Sequence, residues 1–188
     1  HNNTRLIGGA LSASSATAGV GINVATVVAK DKVTAKIGNG SSDASYTGIL
    51  VEKGAVNVLA ENETDSWIIT AAAALSGDKA KATVGGGMTV AVTQNKVEAG
   101  IGDDVILTAR DDVNVLADND ADFILGSLSV ALQNSGSGAV AAGGTVAVSV
   151  SDNAAAASIG DRSSITSTEG AINVKATNDE LHLSLLAS

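Results

Sequence analysis

Apolar and polar positions alternate with a period of two over much of this chain. Met88, Val90 and Val92 are interleaved with Thr89, Ala91 and Thr93, and Val146, Val148 and Val150 with Ala147, Ser149 and Ser151. Val33, Ala35 and Ile37 match Val97, Ala99 and Ile101. Period two is strand spacing, and the reading is a series of half-buried strands of about five residues with the apolar row turned inward. Gly38, Gly102 and Gly160 follow one such row, and Gly21, Gly85 and Gly143 precede another. Both sets suit turns that need positive φ. Ala71–Ala74 and Ala154–Ala157 have helical propensity, but they lie in β-periodic, Gly-rich text without caps and are read as strand.

The pattern repeats at long range. Ile37-Gly38-Asn39 returns as Ile101-Gly102-Asp103 and Ile159-Gly160-Asp161, at separations of 64 and 58. Val56-Asn57-Val58-Leu59-Ala60-Glu61-Asn62 returns as Val113–Asn119 and, more loosely, as Ile172–Asn178, at spacings of 57 and 59. The first interval is longer by a stretch around Ser42–Tyr46, read as a loop insertion. Three units of about 58 residues, roughly 6–64, 65–121 and 122–180, therefore fill the chain as a single segment.

A unit this poor in aromatics buries its apolar row only by stacking on its neighbours. The predicted fold class is all-β, a parallel β-helix (β-solenoid) built from three sequence repeats, each divided into three coils of about 19–20 residues. The inward row Val56, Val58, Ala60 ends at Asn62, with Asn119 and Asn178 in the same place, where stacked amides can satisfy one another at a corner. Ile101 is expected inward between Ile37 and Ile159, and Asp103, past Gly102, toward solvent. Zero Pro agrees, since interior strands donate to both neighbours.

Composition removes several functions. The chain has 188 residues with 11 Lys and Arg against 20 Asp and Glu, a net charge of −9, which argues against a nucleic-acid partner. With no Cys there is no disulfide, thiolate metal site or cysteine nucleophile. No leader-like run opens the chain, and it is expected to be a piece of something longer.

The texts Val-Asn-Val-Leu-Ala, Ala-Lys-Ile-Gly-Asn-Gly and Gly-Gly-Thr-Val-Ala-Val-Ser-Val resemble repeats of very large secreted bacterial proteins of the haemagglutinin and leukotoxin type, exported by two-partner secretion or as autotransporters. The resemblance covers residues 6–180 or so and implies a long β-helical shaft, secreted or on the cell surface, used in adhesion or toxicity. It also implies an outer-membrane translocator for the parent protein. It brings no catalytic motif with it.

Candidate chemistry is sparse. Asp118, Asp120 and Asp122 are the sharpest candidate metal ligands, since alternating carboxylates suit Ca²⁺. No EF-hand Gly and Glu follow, and the equivalent stretches from Glu61 and Thr177 are also acidic, which favours a solvated turn recurring with the repeat and no cofactor. Trp67, Tyr46 and Phe123 are single and scattered, unlike the aromatic platforms of sugar-active β-helices. His1 and His182 lie at opposite ends, which argues against an imidazole-based triad.

The leading expectation is a non-enzymatic shaft of a bacterial adhesin or fibre. Its partners would be a host-cell or surface receptor, protein or glycan, or identical chains end to end. A cytotoxin segment and a carbohydrate-active enzyme are the alternatives. A membrane-active segment needs an exposed apolar face, which the Gly- and Asp-punctuated repeats are not expected to offer.

Overall fold

Identical and near-identical residues sit directly above one another in this protein. The computed structural model describes residues 2–14, 18–38, 47–76, 81–134 and 139–188. Thirteen strands follow in chain order: β1 (Asn2–Ser14), β2 (Ala18–Ala29), β3 (Lys32–Ile37), β4 (Thr47–Val51), β5 (Val56–Ser76), β6 (Ala82–Thr93), β7 (Lys96–Ile101), β8 (Val105–Ala109), β9 (Val113–Gln133), β10 (Val140–Ser151), β11 (Ala154–Ile159), β12 (Ser164–Ser167) and β13 (Ile172–Ala187). They form four parallel sheets, β1-β5-β9-β13, β2-β6-β10, β3-β7-β11 and β4-β8-β12. The fold is a parallel β-solenoid of three repeats, as the sequence predicts, and both Ala runs are strand, in β5 and β11.

The coil is larger than expected. Val56 pairs with Val113 and Val113 with Ile172, so one repeat is one complete turn and not three. Strands reach 21 residues in β5 and β9, where about five were expected. Such a strand is about 70 Å long, while neighbouring coils are about 4.8 Å apart. This stretch of chain is therefore broader across its coils than it is tall. The extra residues of the first repeat fall between β3 and β4, and positions 39–46 lie outside the described residues.

Each coil has two parts. The first half of β5 or β9 closes a triangle with β7 and β8, packing Val58, Ala60, Val97, Ile101, Val105, Leu107, Val113 and Val115 into one apolar core. Ile101 is 2% exposed and registered between Ile37 and Ile159, as expected. The second half continues past Asn62 without a corner and lies against β6, forming a flat two-layer arm. A wall of buried polar groups separates the two parts. Asn62 donates Nδ2 to Asn119 Oδ1 at 2.8 Å, Asn119 Nδ2 to Asn178 Oδ1 at 2.7 Å, and Asn95 Nδ2 to Thr64 Oγ1 at 3.3 Å. The predicted Asn ladder exists, but inside a strand.

The glycines act mainly by permitting close approach. Of the corner set, Gly38 has positive φ (80°), while at the equivalent corners the left-handed residues are Asp104 (56°) and Arg162 (57°). Gly85 and Gly143 lie within strands and face inward, not before them in turns. A Cβ on Gly85 would stand 2.9 Å from the Val130 carbonyl oxygen, and one on Gly87 2.5 Å from Ser127 Oγ. Asp103 is also less free than expected, because its Oδ1 accepts the Asp161 backbone N–H at 2.7 Å. It tethers the next coil's corner. Beside it, Asp104 is 5% exposed and takes a two-pronged ion pair from Arg162, with both contacts at 2.6 Å.

Candidate functional site

In the arm the polarity of the two faces is reversed. Thr89, Ala91 and Thr93 face inward at 0%, 0% and 1% exposure, whereas Met88, Val90 and Val92 face outward. Val146, Val148 and Val150 also lie outside, at 53%, 40% and 51% exposure. These were expected to be inward apolar rows. The reason for the inversion is spatial. Above Gly85 and Gly87 the gap leaves room only for small side chains, while nearer the polar wall Ile68, Phe123 and Leu125 pack with Ala25, Ala91 and Ala121 into a second buried apolar cluster. Thr70 Oγ1 lies 3.0 Å from Thr89 Oγ1 and donates to Ser127 Oγ at 2.9 Å, and Ser76 hydrogen-bonds Thr83. Ser66, Thr93 and Ser129 bury hydroxyls that have no such partner.

The second halves of β5, β9 and β13 mirror this. Their outward rows read Trp67, Ile69, Ala71, Ala73, Leu75, then Ile124, Gly126, Leu128, Val130, Leu132, then Leu181, Leu183, Leu185, Ala187. Both outer surfaces of the arm are thus aliphatic. Each carries a shallow glycine-floored hollow, about 450 Å³ at Gly126 and about 520 Å³ at Gly86 and Gly144. The expectation that the repeats offer no exposed apolar face is overturned. The alternation was visible in the sequence, but period two says which residues share a face and not which face is inside.

The acidic residues continue the outer row of the long sheet toward the triangle. Asp118, Asp120 and Asp122 are outward positions of β9, and not a turn, with Asn119 and Ala121 between them pointing in. Glu63, Asp120 and Asp179 stand in direct register on three successive coils. Carboxylates alternate along a strand at about 6.6 Å and across strands at about 4.8 Å, which spreads them over a surface. Among the described residues no group of three or more acidic or imidazole side chains is placed to hold a metal ion.

Burial, followed by the charges of Asp122, Asp179, Glu63 and Asp118, holds the Asp120 carboxyl above the usual carboxylate range. A raised value means that the folded chain holds this proton more tightly than the unfolded chain. Stability therefore rises as pH falls through the window just above the ordinary Asp value. Glu98 and Asp104 behave in the opposite sense. The Lys96 hydrogen bond lowers the first and the Arg162 hydrogen bond the second, and their contribution is lost once pH falls through those lowered values. Denaturation midpoints over a pH series are expected to pass through a maximum in mildly acidic solution. Asp120→Asn should raise the neutral-pH midpoint and flatten the rise. A parent midpoint that only falls on acidification would contradict this assignment.

The structure also assembles a set that the sequence reading discounted. His182 Nδ1 lies 2.9 Å from Ser149 Oγ and Nε2 3.3 Å from Glu180 Oε2, while the ring stacks on Phe123 at 5.2 Å between centroids. Burial pushes the Glu180 carboxyl up, but hydrogen bonds from Ser151, His182 and Asn178 outweigh it and leave the value lowered. The order hydroxyl, imidazole, carboxylate is that of a nucleophile relay. All three nevertheless occupy inward positions of the arm, and their counterparts one coil earlier, Ala91, Phe123 and Ala121, are 0% exposed. The set supplies polar partners to an inner row. Phe123 is buried beneath it and Trp67 is on the outer face, while Tyr46 is outside the described residues.

Fold and surface together define a broad-coil parallel β-solenoid with a two-faced apolar arm. No family model, curated protein or solved structure matches the chain, so the haemagglutinin-type likeness stands on its repeat motifs alone.

Proposed function

We propose that the chain is a structural, non-catalytic segment of the shaft of a secreted or surface adhesin or fibre, which presents corners and lateral faces for attachment. The in-register ladders carry this reading. Asn57, Asn114 and Asn173 are joined at 2.8 Å and 2.8 Å on the outside, and Asn62, Asn119 and Asn178 within. Ile37, Ile101 and Ile159 stack in the triangle. Repeats coupled in this way gain stability from each neighbour and lengthen without changing cross-section. Corner contacts such as Arg162 with Asp104 and Arg110 with Glu169 hold successive coils in line.

Electron microscopy of the purified chain tests the reading, paired with an assay on polygalacturonate and glycosaminoglycans. The expected result is slabs about 70 Å broad that stack along the coil axis as concentration rises, with no turnover. Discrete particles that never stack, or turnover of either polysaccharide, would overturn it.

A further inference from the structure

We infer that the two-layer arm is a lipid-binding blade, seated among acyl chains with both outer faces. This inference is independent of the shaft reading. Its first support is two-sidedness. Val148 at 40% exposure and Leu183 at 43% belong to opposite faces of one thin layer. A second copy covers one face and leaves the other open, so copy-on-copy pairing would propagate without closing. A hydrocarbon phase covers both at once.

Dimensions give the second support. From Trp67 to Leu75 the outward row contains no polar side chain and runs about 26 Å, close to the roughly 30 Å hydrocarbon thickness of a bilayer. Over the three strands whose side chains are described, the face of β2, β6 and β10 measures about 36 Å by 14 Å, or about 500 Å², and that of β5, β9 and β13 about 26 Å by 14 Å, or about 370 Å². Each is comparable to the single largest apolar patch of a typical monomer, about 300–600 Å², and this layer carries two of them, each less than the roughly 800 Å² per partner of a standard stable interface.

The boundary gives the third. On the outer row of β5 the sequence changes from Glu63 and Asp65 through Trp67 to Ile69, so the chain's one Trp stands where charge gives way to aliphatic surface. Indole prefers the level of lipid headgroups. The strands β5, β6 and β9 of the arm are paired on both sides in the parallel ladders, and Thr70, Thr89 and Ser127 bond one another across the gap, so these groups need no water when the outer faces leave it; β10 and β13 keep one open edge each.

The test is flotation of the full chain with phosphatidylcholine vesicles, read together with Trp67 emission. With net charge −9 and apolar contact faces, the chain is expected to float with zwitterionic vesicles, undiminished at about 0.5 M salt and weakened by added anionic lipid. Trp67 emission should shift to the blue on vesicle addition and be quenched best by lipids brominated near the headgroup. The double variant Val148→Asp, Leu183→Asp changes two exposed positions. It should keep the β circular-dichroism signal and lose vesicle binding by at least about tenfold. Three results would overturn the inference: no flotation by the folded parent, binding that requires anionic lipid and vanishes in salt, or a blue shift that follows protein concentration without lipid. The last would assign the faces to a second copy. Should the double variant unfold, the quenching depth in the parent still decides.

Discussion

Ile101→Asp is expected to lower the unfolding free energy by about 4 kcal/mol, because a carboxylate would enter a fully enclosed aliphatic site. Ile101 is 2% exposed, stacked between Ile37 and Ile159 and surrounded by Val97, Val105 and Leu107. No cation is among those neighbours, so the charge must be neutralised or must open the triangle to water. Met88→Asp is the matched control. Met88 belongs to an equally apolar alternating row, but it faces outward at 39% exposure, and its replacement should cost less than about 1 kcal/mol. Chemical denaturation of both variants beside the parent decides the matter. Because solenoid coils couple to nearest neighbours, the Ile101 variant is also expected to split one transition into two. If Met88→Asp is the more damaging change, the inside and outside of the coil have been exchanged.

Asn119→Leu should cost about 1–3 kcal/mol although it replaces a polar group by an apolar one of similar size. Asn119 is 0% exposed and at the centre of the polar wall, accepting from Asn62 and donating to Asn178. Leucine would take one acceptor from the buried Asn62 amide, which keeps only Thr64 Oγ1 at 3.1 Å, at a cost of about 1–3 kcal/mol, while the exposed Asn178 turns its oxygen to water. Denaturation midpoints would show the loss. A stability at or above that of the parent would mean that the amide column contributes specificity alone.

Much of the fold was legible because identical residues recur at the coil spacing. Ile37, Ile101 and Ile159 disclose the register, and Asn62, Asn119 and Asn178 disclose the ladder. Coil size was not legible, because a repeat length fixes what stacks on what and is silent on how often the chain bends within one turn. Asn62 suggested a bend where the strand runs on to Ser76. The arm's reversed faces were missed for another reason. Valines alternating with threonines are ordinarily read apolar-in, and the competing signal was the glycines at 85 and 87, whose missing Cβ atoms set a gap that valine cannot enter. The Ser149, His182 and Glu180 set was missed because residues far apart in sequence meet only once the arm folds back on itself.

The breadth of the coil sets how the protein answers to pulling. Tension along the stacking axis loads one ladder at a time, in the manner of a zipper, while tension along the strands loads many hydrogen bonds in shear together. An end coil that peels away releases the 58 residues separating Ala82 from its register partner Val140, roughly 190 Å of slack, while the coils behind it stay closed. A solenoid of such coils pulled along its axis therefore lengthens in discrete steps, one coil at a time.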